Sequence, residues 1–271
     1  MTETSIIPAA ERKVANRISI RVTLRNTFTL AYRAWLKMVH SPEIFMEIAL
    51  LPIIMTLAFT FLFGGAIAGS TAGYLPVVIP GILVWCCAMG CNAAGTKLRE
   101  DMSKGITTRL ASMPISRFAP VGGMLITDIS RYVIVSVIVF ALGYGLGYRP
   151  ETGMIGVIAC IGFMSFTAWC LSWIFAFIGV SSKSVSSAST IGNVIMFPLA
   201  FMSNALVPVE TLPGWLQFFV VHINPLSYIV SGLRQLLSGS LGMEFWGALL
   251  GALLIVAVFA PLTMRSYAKK A

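Results

Sequence analysis

The sequence predicts an all-α polytopic membrane protein with six transmembrane helices. Of its 271 residues, 57% are hydrophobic and 11% are charged, whereas soluble domains carry about 25% charged residues. Six apolar stretches are each long enough to cross a bilayer, which takes about 20 residues. The 19 Lys and Arg residues, against 10 Asp and Glu, lie at the ends of these stretches, as the positive-inside rule describes. These observations exclude a soluble enzyme, a disordered chain and a nucleic-acid-binding protein.

Residues 1–42 are predicted to form a cytoplasmic basic segment that ends in an interfacial amphipathic helix. From Leu24 to Val39, apolar side chains recur on one side of a helix and polar side chains on the other. Sixteen residues of this kind are expected to lie on the membrane surface rather than to cross it. The alternative is a soluble helix that packs on a partner. The residues assigned to the interfacial helix are Phe28, Tyr32, Arg33, Trp35 and Lys37.

Residues 43–264 are predicted to form the transmembrane domain, and residues 265–271 a cytoplasmic tail. An even number of spans places both termini on one side, so the basic N-terminal segment, the 97–127 loop and the basic tail all face the cytoplasm. Glycine pairs spaced four apart permit close helix packing, but with 24 glycines in the chain such pairs are expected by chance. The predicted spans are 48–68, 76–96, 129–148, 154–180, 188–207 and 245–264.

The outer segment 208–240 is apolar but is not counted as a span, because prolines interrupt it. The stretch 215–223 has nine residues, about 14 Å of helix against roughly 30 Å of hydrocarbon. A second short helix is expected to start after Pro225 and to carry Arg234, whose charge is costly at the bilayer centre. We therefore expect two short re-entrant helices that enter from the outer face and return to it.

Chemistry-bearing patterns are scarce in the sequence. The five cysteines show no paired C-x-x-C spacing, and no pattern indicates a metal site or a nucleophile beside a base. The stretch 90–97 has the glycine spacing of a phosphate-binding loop, but Thr96 and Lys97 are in reversed order. Catalysis is therefore not expected in this chain, and any ATP and Mg²⁺ would be bound by another polypeptide. Acidic residues lie only at the ends of spans, which disfavours an ion-coupled carrier.

The cytoplasmic segment 97–117 carries a recognisable pattern. It resembles the loop after the second span of type-2 ABC transporter (ABC-2) permeases, in particular the daunorubicin-resistance (DrrB-like) group. Segments 41–43, 80–83, 203–210 and 212–217 also resemble that family, and the similarity runs in order over about residues 30–265. The matching residues in the cytoplasmic segment are Lys104, Gly105, Ile106, Arg109, Ser112, Met113, Pro114, Ile115 and Arg117.

The resemblance implies that the chain is one membrane subunit of an exporter in the bacterial cytoplasmic membrane. Such permeases pair two membrane subunits with two cytoplasmic ATPase subunits, which bind the ATP. Whether the second permease copy is identical or different stays open. A cytoplasmic coupling loop docks on the ATPase, although a solvated loop that contacts lipid headgroups is the alternative. The residues assigned to docking are Arg99, Glu100, Asp101, Lys104, Gly105, Arg109 and Pro114.

Two further sets of residues follow from the same resemblance. The outer re-entrant gate is assigned to Pro208, Glu210, Pro213, Trp215, Asn224, Pro225 and Arg234. A path for the substrate is assigned to Asn193, Phe197, Phe201 and Asn204. For the path residues the alternative is a structural role, in which the asparagines form interhelical hydrogen bonds.

Three functions remain open from the sequence. The first is the permease of an ATP-driven exporter of amphipathic drugs or hydrophobic molecules. The second is a permease of the same family that exports a lipid-linked glycan, teichoic acid or lipid. The third, of another class, is a non-transporting membrane scaffold or assembly factor.

Overall fold

The computed structural model describes residues 20–106, 119–206 and 213–270, and in this part of the chain it contains nine α-helices and no β-strand. Apolar residues dominate the long helices, as expected for helices that cross a membrane and satisfy most of their backbone polar groups internally. The helices are α1 Ile20–Val39, α2 Pro42–Ala68, α3 Thr71–Ser103, α4 Ala119–Gly145, α5 Gly153–Ser181, α6 Val185–Phe201, α7 Gly214–His222, α8 Pro225–Ser238 and α9 Met243–Lys270.

Five helices are long and apolar enough to cross a membrane, namely α2 (from Ile48), α3, α4, α5 and α9. Helix α6 is apolar but has only 17 residues, about 26 Å at 1.5 Å per residue. It ends at Phe201, six residues before the end of the predicted span 188–207. The hydroxyl of Ser203 donates to the Ala200 carbonyl and accepts the Ala205 N–H, and such local bonds compete with helix continuation. The sixth crossing therefore stays a prediction.

Helix α3 lies at the centre of the bundle. Its most apolar stretch is 78% buried, against 11% for α9. It packs against α2, α4, α5, α6 and α8, whereas α9 packs on α5 and α8. Side chains on several sides of α3, including Val78, Ile79 and Leu83, are completely buried. The other helices are therefore arranged around α3.

The helices α3 and α5 approach each other through two glycines. A Cβ atom added to Gly179 would lie 2.1 Å from the carbonyl oxygen of Gly95, and one added to Gly95 would lie 2.2 Å from the carbonyl oxygen of Phe175. No real side chain tolerates such distances. Glycine at both positions lets the two backbones touch, which is the usual basis of close helix packing in membranes.

The C-terminal end of α3 extends beyond the predicted span 76–96. The helix runs without a break from residue 96 to Ser103, and α4 begins at Ala119. Much of the predicted coupling loop 97–127 is therefore helical. A cluster of apolar side chains holds this extension in place. Leu98 is buried there with Leu125 of α4, Trp173 of α5 and Tyr267 of α9.

Two short helices, α7 and α8, follow α6 in the chain. The side chain of Asn224 accepts the N–H of Leu226 at 2.9 Å and so caps α8. Its amide also donates to the carbonyls of Leu199 and Met202, both at 2.7 Å. Pro225 occupies the first helical position, where proline is well tolerated. Asn224 therefore starts α8 and fixes it to the C-terminal end of α6.

Candidate functional site

The end of α3 carries an exposed ion pair. The ammonium of Lys104 lies 2.5 Å from a carboxylate oxygen of Glu100, with side chains 62% and 44% exposed. The hydrogen bond from this ammonium to Glu100, followed by the carboxylate's charge, raises the pKa of Lys104. Gly105 follows with φ of +70°, the left-handed conformation that glycine supplies at a helix end. The pair offers both charges to a partner at the surface.

Arg99 is predicted to contact the ATPase together with this pair, but its side chain turns back towards the chain itself. Its guanidinium donates to the carbonyl of Lys183 at 2.6 Å, across 84 residues of sequence. This bond joins the end of α3 to the turn between α5 and α6. Asp101 lies in the last turn of α3, whereas Arg109 and Pro114 lie outside the described residues.

Sequence reasoning missed a second contact at this end of the molecule. The ammonium of Lys270, at the end of α9, donates to the carbonyls of Val180 and Ser181 at 2.7 and 3.2 Å. The last carbonyls of a helix carry partial negative charge, which a cation stabilises. The basic tail was a clue to topology, but no signal in the sequence relates it to α5.

The predicted interfacial helix corresponds to α1 and packs on the start of α4. The backbone of α1 comes so close to Gly123 that an added Cβ would lie 3.1 Å from the Thr27 carbonyl oxygen. The Thr127 hydroxyl donates to the Ala31 carbonyl at 3.1 Å. On the other side, four predicted residues are exposed, and the side chain of Lys37 is outside the described part. The exposed residues are Phe28, Tyr32, Arg33 and Trp35.

The structure separates the predicted path residues into two pairs. Asn193 accepts a hydrogen bond from Asn92 of α3 at 2.6 Å, and Asn204 donates to Ser231 of α8 at 2.9 Å. Both asparagines are thus engaged in contacts between segments of the chain.

The two aromatic path residues lie on the exposed side of α6. Phe197 and Phe201 stack with their ring centroids 6.1 Å apart, and both are exposed. Trp85 of α3 meets Phe201 edge-on at 6.2 Å. The exposed side of α6 therefore presents an aromatic surface.

Arg234 of α8 is bonded to two other parts of the chain. Its guanidinium donates to the carbonyls of Asn204 at 2.8 Å and of Val77 at 3.2 Å, so it links α8, the turn after α6 and the start of α3. The hydroxyl of Tyr74 donates to the Leu206 carbonyl at 2.6 Å. These carbonyls accept hydrogen bonds from the guanidinium, which lowers the free-energy cost of placing an arginine among apolar helices.

The structure describes only some of the remaining predicted gate residues. Pro213 precedes α7, and Asn224 and Pro225 start α8. Trp215 belongs to α7, but its side chain, like Pro208 and Glu210, lies outside the described residues.

A small cavity of about 60 Å³ between α2, α3 and α4 was not predicted. One water molecule needs about 10–15 Å³ of cavity volume, so this cavity is large enough for a few. Among the residues that the structure describes, Arg131 is its one charged lining residue. The lining residues are Ile48, Leu51, Pro52, Cys86, Met89, Gly90, Arg131 and Val135.

Within residues 20–106, 119–206 and 213–270, no group of three or more His, Cys, Asp or Glu side chains could hold a metal ion. All five cysteines are buried free thiols.

Comparisons with known proteins give consistent matches. Residues 25–238 match the model of the family described as ABC-2 type transporter. The chain is 37% identical to the daunorubicin resistance ABC transporter permease protein of Streptomyces coeruleorubidus, over 98% of this chain and 92% of that protein. It is 25% identical to the probable doxorubicin resistance ABC transporter permease protein of Mycobacterium tuberculosis, over 63% of each chain. An inner membrane transport permease of Escherichia coli is 23% identical, over 78% of this chain and 82% of the relative.

Proposed function

The chain belongs to the ABC-2 type transporter family as a multi-pass inner-membrane protein, and on that premise we propose that it is the permease subunit of an ATP-driven exporter. We propose that the cargo is an amphipathic drug-like or hydrophobic molecule. The observation that carries this proposal is the 37% identity, over nearly the full length of both chains, to a permease named for daunorubicin resistance. The relative named for doxorubicin resistance supports the same cargo class.

The proposed complex contains two ABC ATPase subunits and a second permease copy, identical or different. The exposed pair of Glu100 and Lys104 is proposed as the described part of the ATPase contact, because both charges face outward. Arg99 is proposed to act behind that contact, since its guanidinium is bonded to the Lys183 carbonyl. The two roles can be separated by substitution.

The proposed topology has six crossings, with α6 as the fifth and both termini in the cytoplasm. Two long-range contacts support it. Arg99 of α3 meets the turn after α5, and Lys270 of α9 meets the end of α5. The basic ends of three helices are thus gathered at one end of the bundle, where the positive-inside rule places the cytoplasm.

At the same end, α1 is proposed to lie in the membrane interface. Its exposed aromatic side chains are of the kind that settle at the level of lipid headgroups, and its other side is fixed to α4 by Thr127. At the opposite end, α7 and α8 are proposed to form the re-entrant outer gate, with Arg234 as its anchor.

Co-purification and transport test the proposed function. The permease is co-expressed with a candidate ABC ATPase, and uptake of fluorescent daunorubicin into inverted vesicles is followed with and without ATP. We expect the two proteins to purify together and ATP to drive uptake. An ATPase that binds, with uptake of a lipid-linked glycan but not daunorubicin, would support the alternative cargo. Absence of both binding and ATPase stimulation would support a scaffold.

The docking assignment has its own test. We expect Glu100→Ala with Lys104→Ala to weaken ATPase binding about tenfold, equivalent to about 1.4 kcal/mol. Lys269→Ala is the matched control, because Lys269 is also an exposed cation at the cytoplasmic end. Equal binding by the double variant and the control would refute the assignment of this pair.

A further inference from the structure

Helix α1 has three sides that differ in burial and chemistry. A helix turns by about 100° per residue, and on this basis the centres of the three sides are about a quarter turn apart. The first side is buried and carries Thr27, Ala31 and Met38. The second side is exposed and apolar, and it carries Phe28, Tyr32, Trp35 and Val39. The third side is exposed and polar, and it carries Arg25, Thr29 and Arg33.

The contacts with α4 fix the rotation of α1 about its own axis. The Thr127 hydroxyl donates to the Ala31 carbonyl at 3.1 Å. A Cβ atom added to Gly123 would lie 3.1 Å from the Leu30 side chain and 3.3 Å from the Ala31 nitrogen. Helix α1 cannot turn without breaking this bond and separating from α4. The aromatic side therefore stays next to the α4 contact, and the basic side stays opposite to it.

The aromatic side indicates how α1 faces the lipid. Phe28 and Tyr32 are 62% and 61% exposed, and the rings of Tyr32 and Trp35 stack with centroids 6.2 Å apart. An interfacial helix buries its apolar side at the boundary of headgroups and acyl chains. The polar side, a quarter turn away, then lies at the level of the headgroup phosphates. Arg25 and Arg33 are on that side.

The charge of this part of the chain is of one sign. Residues 12–42 contain seven Arg and Lys and no Asp or Glu. An arginine guanidinium matches a phosphate group with two parallel hydrogen bonds. The side that carries Arg25 and Arg33 is therefore complementary to an anionic headgroup. A zwitterionic headgroup carries its own cation beside the phosphate and is attracted less.

We propose that the basic side of α1 is a binding surface for anionic phospholipids, with Arg25 and Arg33 on the headgroup phosphates of the cytoplasmic leaflet. That leaflet is the one with a negative surface potential. The inference rests on the proposed function, since it requires α1 to lie in the membrane interface. Because α1 is bonded to α4 through Thr127, bound lipid also holds the start of α4 at a fixed depth.

Quenching of a fluorescent label on α1 tests the proposal. Thr29 lies between the two arginines, and its hydroxyl donates to the Arg25 carbonyl of the same helix at 2.9 Å. Thr29→Cys adds an exposed thiol, whereas all five native cysteines are buried, so a maleimide dye marks position 29. The full-length permease is placed in phosphatidylcholine vesicles with a small fraction of nitroxide-labelled lipid. This lipid is phosphatidylglycerol or phosphatidylcholine, with the nitroxide at the same place on one acyl chain.

We expect stronger quenching by phosphatidylglycerol at low ionic strength, and a smaller difference in high salt. Arg33→Gln is expected to lower the preference about fivefold, the factor that one cation near an anionic surface contributes. Arg33→Lys keeps the charge and is expected to keep most of the preference. Lys269→Gln is the matched control, because Lys269 is an exposed cation of α9, which packs on α5 and α8.

Equal quenching by the two lipids would overturn the proposal. A loss of preference in Lys269→Gln as large as in Arg33→Gln would overturn it too, because the effect would then follow net charge. Absence of quenching by either lipid would refute the interfacial position of α1 and the lipid surface with it.

A candidate ATPase that removes quenching by both lipids would assign this side of α1 to a protein contact instead, and would also overturn the proposal. The lipid measurement itself needs neither ATPase nor nucleotide. A permease that moves no cargo would therefore refute the exporter function and leave the lipid preference as measured.

Discussion

Two faces of α3 are attached to their neighbours in different ways. Towards α5, the backbone at Gly95 touches Gly179 with no side chain between them. Towards α6, three polar side chains of α3 reach across to acceptors. The first contact depends on shape and leaves little room for rearrangement. The second combines a close approach, at Gly81 and the Ala205 carbonyl, with hydrogen bonds. One helix is therefore attached to α5 chiefly by shape and to α6 and its flanking turns by shape and hydrogen bonds together.

The largest expected effect on stability is at the close contact between α3 and α5. Gly179→Ala places a Cβ about 2 Å from the Gly95 carbonyl oxygen, so the helices must separate. We expect a loss of about 1–3 kcal/mol of stability, as for other overpacked sites. Thermal unfolding of the purified permease in detergent measures it.

Gly162→Ala provides the control for that substitution. Gly162 lies on the same helix, and no atom would lie within 4 Å of its added Cβ. An unfolding temperature of Gly179→Ala equal to that of the control would show that the α3–α5 contact is not tight.

The middle effect is expected at the hydrogen bonds between α3 and α6. A double-mutant cycle with Asn92→Ala and Asn193→Ala isolates their mutual hydrogen bond from the cost of each truncation. We expect a coupling of about 0.6 kcal/mol, and at most about 1.7 kcal/mol, as for other interhelical bonds in membranes. Denaturant unfolding of the four proteins gives the value. A coupling indistinguishable from zero would show that this hydrogen bond does not stabilise the contact between α3 and α6.

The smallest effect is expected where α9 contacts the end of α5. Lys270→Gln removes the charge that faces the Val180 and Ser181 carbonyls. We expect a loss of about 0.3–1 kcal/mol at low ionic strength, reduced by salt. Lys269→Gln is the control, because Lys269 is the exposed neighbour. The interpretation fails if both substitutions shift the unfolding temperature equally.

Sequence patterns predicted the parts of this fold that depend on local composition. Apolar length located all five of the long apolar helices, and the proline interruptions separated the outer segment, where α7 and α8 are found as short helices. The end of α6 was misplaced because Leu206 and its neighbours are apolar, and hydropathy does not register the hydrogen bonds of Ser203. The second span was predicted to end at residue 96 because charged residues begin at Lys97, whereas the helix continues to Ser103 and Leu98 is buried.

Contacts between distant segments could not be predicted in this way. Gly95 and Gly179 are 84 residues apart, and neither belongs to a pair of glycines spaced four apart. Arg99 was selected as a docking residue for its charge, but the acceptor of its hydrogen bond is a backbone carbonyl. Backbone carbonyls occur at every position, so a sequence gives no sign of which one will be used.

The unbroken length of α3 has a mechanical consequence. The helix has 33 residues, about 50 Å, and its backbone contact with α5, at Gly95, lies much nearer its C-terminal end. From Gly95 the helix extends about 12 Å to Ser103 and about 36 Å to Thr71. A tilt of the whole helix about this contact displaces Thr71 about three times as far as Ser103, in the opposite direction.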